Sequence, residues 1–90
     1  MHMFRLWAKE FKDNRMVRDM VIEDDSNETR THKIFSAIDK ICYAFDLSKP
    51  IWLEANITEF KKISKVRFRS ENFIDEIDFD YLEIHVIEED

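Results

Sequence analysis

Cys42, His32 and His85 are the residues of this 90-residue chain whose types could support nucleophilic chemistry. A thiol nucleophile needs a base within hydrogen-bond reach. Cys42 follows Phe35 by seven residues in a segment with helical apolar spacing, so the two share nearly one azimuth. A thiol buried in such a stripe behaves as a small hydrophobe, and burial raises its pKa. His32 precedes Cys42 on the same helix by a span of roughly 15 Å at 1.5 Å rise per residue, too far to serve as its base. His85 falls, by parity with Glu83, on the outward face of the last strand. No Cys–His dyad is therefore expected. A single cysteine also excludes an internal disulfide and a Cys-based zinc site. His2 carries no weight, because Met1-His2 ahead of Met3 reads as a cloning scar.

Glu76, Asp78 and Asp80 form a carboxylate ladder of the kind hard cations prefer. Ile77 and Phe79 alternate with these acids, as at a strand edge. The chain has no glycine at all, so there is no EF-hand turn, P-loop or dinucleotide-binding loop. Glu23-Asp24-Asp25 is simply the negative charge that a helix N-terminus favours. No metal, cofactor or catalytic residue is assigned, and a chain this short has little material to wall a deep cleft. A binding module is the expected class rather than an enzyme.

Charge is segregated along the chain. The net charge is −6, with residues 1–18 at +3, 19–59 at −5, 60–70 at +5 and 71–90 at −9. The basic patch is Lys61, Lys62, Lys65, Arg67 and Arg69, interleaved with Phe60 and Phe68. That interleaving resembles a single-strand-binding surface. Overall acidity argues against a nucleic-acid ligand, because phosphate neutralisation dominates such affinity. The structural reading is that the acidic last strand lies between the basic first and third strands, putting Arg67 or Arg5 across from Glu83. A further alternative makes residues 71–90 an acidic inhibitor or nucleic-acid mimic.

The elements that position these residues follow from periodicity. Residues 4–11 alternate, with Phe4, Leu6 and Ala8 on one side and Arg5, Trp7, Lys9 and Phe11 on the other. Residues 16–23 form a second strand, joined through Asp13-Asn14, the best positive-φ pair available without glycine. Asp25 or Ser26 with Glu28 supplies a helix start. Ile34, Ile38, Ile41 and Phe45 form the core stripe of a helix over 28–46, widened by Phe35, Ala37, Cys42 and Ala44, with Pro50 beyond its end. Ile51-Trp52-Leu53 reads as an extended anchor. A short helix over about 56–63 is capped by Asn56, a third strand spans 65–68, and the last strand spans 81–87. A turn or loop over 71–77 buries Phe73, Ile74 and Ile77. The expected fold is α+β, a single domain over 1–90: an antiparallel sheet of about four strands in the order β-β-α-(α)-β-β, with the main helix packed on one face.

That architecture leaves Trp7, Phe11, Tyr81 and Ile87 on the parity opposite the helix. They form a partner surface unless the 51–63 segment folds over them. The expected function is a small non-enzymatic protein-interaction domain, with a homo-oligomer or another protein as partner. No apolar run approaches ~18 residues, and the first twenty residues are densely charged, so neither a membrane span nor a signal peptide is expected. The expected location is cytoplasmic.

Phe4-Arg5-Leu6-Trp7, the run from Ile41 to Leu53 (ICYAFDLSKPIWL) and the run from Phe79 to Asp90 (FDYLEIHVIEED) resemble a group of short, acidic bacterial proteins of uncharacterised function. The resemblance spans nearly the whole chain from Met3. It implies a free-standing cytosolic bacterial protein and supplies no catalytic motif.

Overall fold

The computed structural model describes residues 3–89; the reading of Met1-His2 as a cloning scar lies outside the described residues. Alternation produces the first hairpin. Strand β1 (Phe4–Lys12) pairs antiparallel with β2 (Arg15–Asp24) through the two-residue loop Asp13-Asn14. Both loop residues have positive φ, 54° and 64°, the geometry whose twist matches that of the flanking strands. The register slips between Glu10 and Phe11, which pair with Arg18 and Met16 and leave Val17 as the extra residue of a bulge.

Helix α1 (Arg30–Phe45) begins two residues later than its sequence signals suggest. Thr29, not Asp25 or Ser26, is the N-cap, and its Oγ1 accepts from the His32 N–H. The acidic residues upstream serve turns instead: Asp24 Oδ1 accepts from the Ser26 N–H, and Ser26 Oγ accepts from the Glu28 N–H. Competition of short polar side chains for local amides thus delays the helix. The core stripe is as expected at Ile34, Ala37, Ile38, Ile41, Cys42 and Phe45. Phe35 and Ala44 are exposed, because the sheet below covers a narrower arc than the apolar sequence offers. Asp46 closes the helix in the left-handed region, and its N–H bonds back to the Cys42 and Tyr43 carbonyls. Arg18 clamps this end to the hairpin. Its guanidinium forks onto both oxygens of buried Glu10 and also donates to the Phe45 carbonyl at 2.9 Å.

Helix α2 (Glu54–Ile63) starts earlier than Asn56. Asn56 sits at the third helical position, buried, and its Oδ1 accepts from the Leu53 N–H and from Asn72 Nδ2. Asn72 also donates to the Ile51 carbonyl and accepts from the Arg69 N–H. This buried Asn–Asn pair satisfies backbone groups of two connecting segments, at Ile51 and Leu53 and at Arg69. Strand β3 (Lys65–Phe68) follows, then a 3₁₀ turn at Ser70–Asn72 and strand β4 (Tyr81–Glu88). In the 71–77 region Phe73 is buried and Ile77 partly so, whereas Ile74 is exposed, contrary to expectation.

The sheet order is β2-β1-β4-β3, antiparallel throughout, which makes this an α+β fold. Both helices lie on one face. Phe4, Leu6, Ala8, Val66, Phe68, Leu82, Ile84 and Val86 meet the α1 stripe there to form the core. Trp52 packs edge-on against Phe35, Phe60 and Phe68, so the 51–63 segment joins that same layer. No helix among the described residues is long and apolar enough to cross a membrane.

Candidate functional site

Because α1 and α2 share one side, the other face of the sheet carries no helical layer. The pleat sends Arg5, Trp7, Lys9 and Phe11 of β1 to this face. Register brings Val21 and His85 alongside Trp7, Asp19 and Glu83 alongside Lys9, and Tyr81 alongside Phe11. Strand β3 adds Lys65 beside His85 and Arg67 beside Glu83. Three of the four residues proposed for the partner surface therefore stand on neighbouring strands of one face. Ile87 sits at the β1–β4 register slip, where Leu6 pairs with Val86 and Arg5 with Glu88; it is 44% exposed.

A charged row crosses the middle of this face. Glu83 is only 4% exposed, with Lys9 Nζ 2.7 Å from Oε2 and Arg67 Nε 3.1 Å from Oε1. Burial opposes ionisation of Glu83, but the hydrogen bonds from Lys9 and Arg67 outweigh it and hold its pKa below the ordinary carboxylate value. The same hydrogen bond raises the pKa of Arg67. At the edge of the face Arg5 bridges Glu23 at 2.8 Å and Glu88 at 3.1 Å. The acidic last strand thus lies between two basic ones. Arg67 on β3 and Lys9 on β1 are the residues across from Glu83; Arg5, four residues before Lys9 along β1, meets Glu88 instead.

Aromatic groups flank the row. Trp7 donates its Nε1–H to Asp19 Oδ2 at 2.8 Å and lies 4.0 Å below the Lys9 ammonium. Phe11 and Tyr81 stack with centroids 5.1 Å apart. Arg67 and Arg69 lie over Tyr81 at 4.6 and 5.2 Å. His85, between Trp7 and Lys65, has its pKa lowered by burial and by the positive charges of Lys65 and Lys9.

The basic patch does not stay together. Lys65, Arg67 and Arg69 belong to the uncovered face, whereas Lys61 and Lys62 occupy the last turn of α2 in the helical layer. Cys42 is buried on the core side of α1, with the sheet between it and His85, and burial pushes its thiol up to about 11. Glu76, Asp78 and Asp80 do not converge, and no group of His, Cys, Asp and Glu suited to a metal occurs among the described residues. Asp80 instead accepts from the Asp13 N–H, bracing the hairpin turn. The buried position of Glu83 was not legible beforehand. Its parity marks it as outward, and only the flanking Lys9, Arg67 and aromatic rings remove it from solvent.

Searched against family models, curated proteins and solved structures, the chain matches none.

Proposed function

We propose that this protein is a non-enzymatic interaction module that self-associates through the uncovered sheet face, with Trp7, Phe11, Tyr81 and Ile87 as its apolar contacts. The carrying observation is the one-sided helical layer, which leaves aromatic and apolar side chains of adjacent strands on the other face. Electrostatics supports a second copy as the partner. The chain carries −6 overall and repels its copies over most of its surface. The uncovered face is nearly balanced, with Arg5, Lys9, Lys65, Arg67 and Arg69 set against Asp19, Glu23, Glu83 and Glu88. It is the place where approach is least penalised.

The alternatives draw less from the geometry. A single strand of nucleic acid needs free ring faces, yet Tyr81 is already held between Phe11 and two arginines, and Trp7 lies under Lys9. An acidic mimic needs a continuous anionic face, yet Glu83, Glu88 and Glu89 are tied to Lys9, Arg67, Arg5 and Arg30.

Light scattering over a concentration series tests the reading. The expected mass approaches about twice the 11.0 kDa chain mass, and Trp7→Ala with Tyr81→Ala returns it to the monomer. A monomer at every concentration, or a dimer indifferent to both substitutions, sinks it.

A further inference from the structure

Lys61 and Lys62 are the cations of the basic run that the uncovered sheet face does not use, and Lys61 lines a groove on the opposite, helical side. The groove lies between α1 and α2 and has a volume of about 270 Å³. Ile34 and Phe35 line it from α1, Ile57 and Phe60 from α2, and Trp52 from the segment between the helices. Trp52 meets Phe35 edge-on at 6.3 Å, Phe60 at 5.4 Å and Phe68 at 4.9 Å, so the groove is built on a packed aromatic cluster. Phe35 is nonetheless 49% exposed and Ile57 41%. A concave, preformed apolar wall that faces water is the usual character of a small-molecule site.

The groove has a polar end and an apolar end. At the polar end the Arg30 guanidinium lies over the Phe60 ring at 5.3 Å, and Thr31 and Lys61 line the same groove. At the apolar end Phe35 meets Trp52. No described Asp or Glu lines it. Arg30 is already engaged: Nε is 2.8 Å from Glu89 Oε2, and Nη2 donates to Ser64 Oγ. Lys61 has no ion-pair partner among the described residues. The acids of α2 stand apart from it. Glu59 acts on Arg67, toward β3, and Glu54 opens the helix about 10 Å from Lys61 along the axis at ~1.5 Å per residue. Two cations and the single carboxylate of Glu89 therefore leave one positive charge at the polar end.

We propose that this groove binds a small amphipathic carboxylate, its apolar tail along Phe35, Trp52 and Ile57 and its head at Lys61 and Thr31. A single uncompensated charge suits a monoanion better than a phosphate dianion. An apolar cavity of ~150 Å³ accepts benzene, so this groove has room for roughly ten non-hydrogen atoms, the size of a medium-chain fatty acid. A protein partner would need about 800 Å² on this side, whereas two of the five apolar side chains in the wall, Ile34 and Phe60, are already buried. The site is independent of the self-association reading, since the helices and the uncovered face lie on opposite sides of the sheet.

The test follows amide NMR shifts of the whole protein titrated with sodium octanoate below its micelle concentration, and in parallel with 1-octanol and octylamine. The expected result is saturable octanoate shifts confined to residues 30–35, 52 and 57–61, with 1-octanol and octylamine weaker by about tenfold or more, the loss expected for one charge-assisted contact. Lys61→Gln should weaken octanoate by about the same factor and leave 1-octanol unchanged, whereas Lys61→Arg should retain octanoate binding. Phe35→Ala should weaken both ligands, and Lys12→Gln should alter neither. Lys61 and Phe35 are exposed enough for these variants to fold, which the unshifted amides of the sheet would verify. Absence of saturable octanoate shifts in the unaltered protein overturns the proposal. So does 1-octanol binding as tightly as octanoate, or a Lys61→Gln protein that holds octanoate as well as the parent. Shifts at 30–35 and 57–61 on diluting the ligand-free protein would mean that a second copy fills the groove, and would overturn it too.

Discussion

Arg67 and Glu83 occupy paired positions on β3 and β4, and the guanidinium Nε meets the carboxylate Oε1 at 3.1 Å. The second oxygen of the same carboxylate holds Lys9 from β1, so one acid staples three strands. Glu83 is buried while Arg67 is 44% exposed on its side chain, so the pair is neither a surface bridge nor a fully interior one.

Removing the acid should therefore cost more than an exposed pair is worth. Glu83→Ala strands Lys9, which is largely buried, and should destabilise by roughly 2–3 kcal/mol, short of the ~3–5 kcal/mol seen for fully buried pairs. Glu83→Lys should cost more, and Arg67→Glu should rescue only part of that, because Lys9 still faces a cation. Urea unfolding of the four proteins measures it. Additive losses in the double variant would show that Arg67 and Glu83 do not interact.

Stability should fall with acid in two successive windows. The folded pKa of His85 lies below its ordinary 6.5, so the unfolded chain takes up the proton first. Its contribution is complete above that value and is lost as pH falls through the folded pKa. The folded pKa of Glu83 lies below its ordinary 4.5, so its contribution holds above 4.5 and drains away at lower pH. Melting temperatures between pH 7 and pH 3 should show both, and His85→Gln should flatten the first alone. An unchanged profile in that variant would contradict the assignment.

Cys42 should resist thiol reagents in the native state. Its thiol is buried on the α1 stripe and its pKa is pushed up to about 11, so almost no thiolate is present near neutrality. Labelling by a disulfide reagent at pH 8 should follow global unfolding and accelerate in urea. Rapid labelling in native buffer would place the helix face wrongly.

The alternation of 4–11, 65–68 and 81–87 and the Ile34-Ile38-Ile41-Phe45 spacing determined the elements by themselves, because side-chain period is a local property of strand and helix. Asp13-Asn14 likewise fixed the hairpin turn, since few residues other than glycine tolerate positive φ. Segregated charge pointed to β4 between β1 and β3, because opposite charges on adjacent strands attract and like charges repel, and the sheet order agrees. Tertiary structure alone decided what distance and burial control. It sent the 51–63 segment to the helical side, and buried Glu83 among two cations and Asn56 against Asn72. It also split the basic patch between two faces. None of these has a sequence period, because each depends on which residues distant along the chain arrive at the same place and on how much solvent they exclude together.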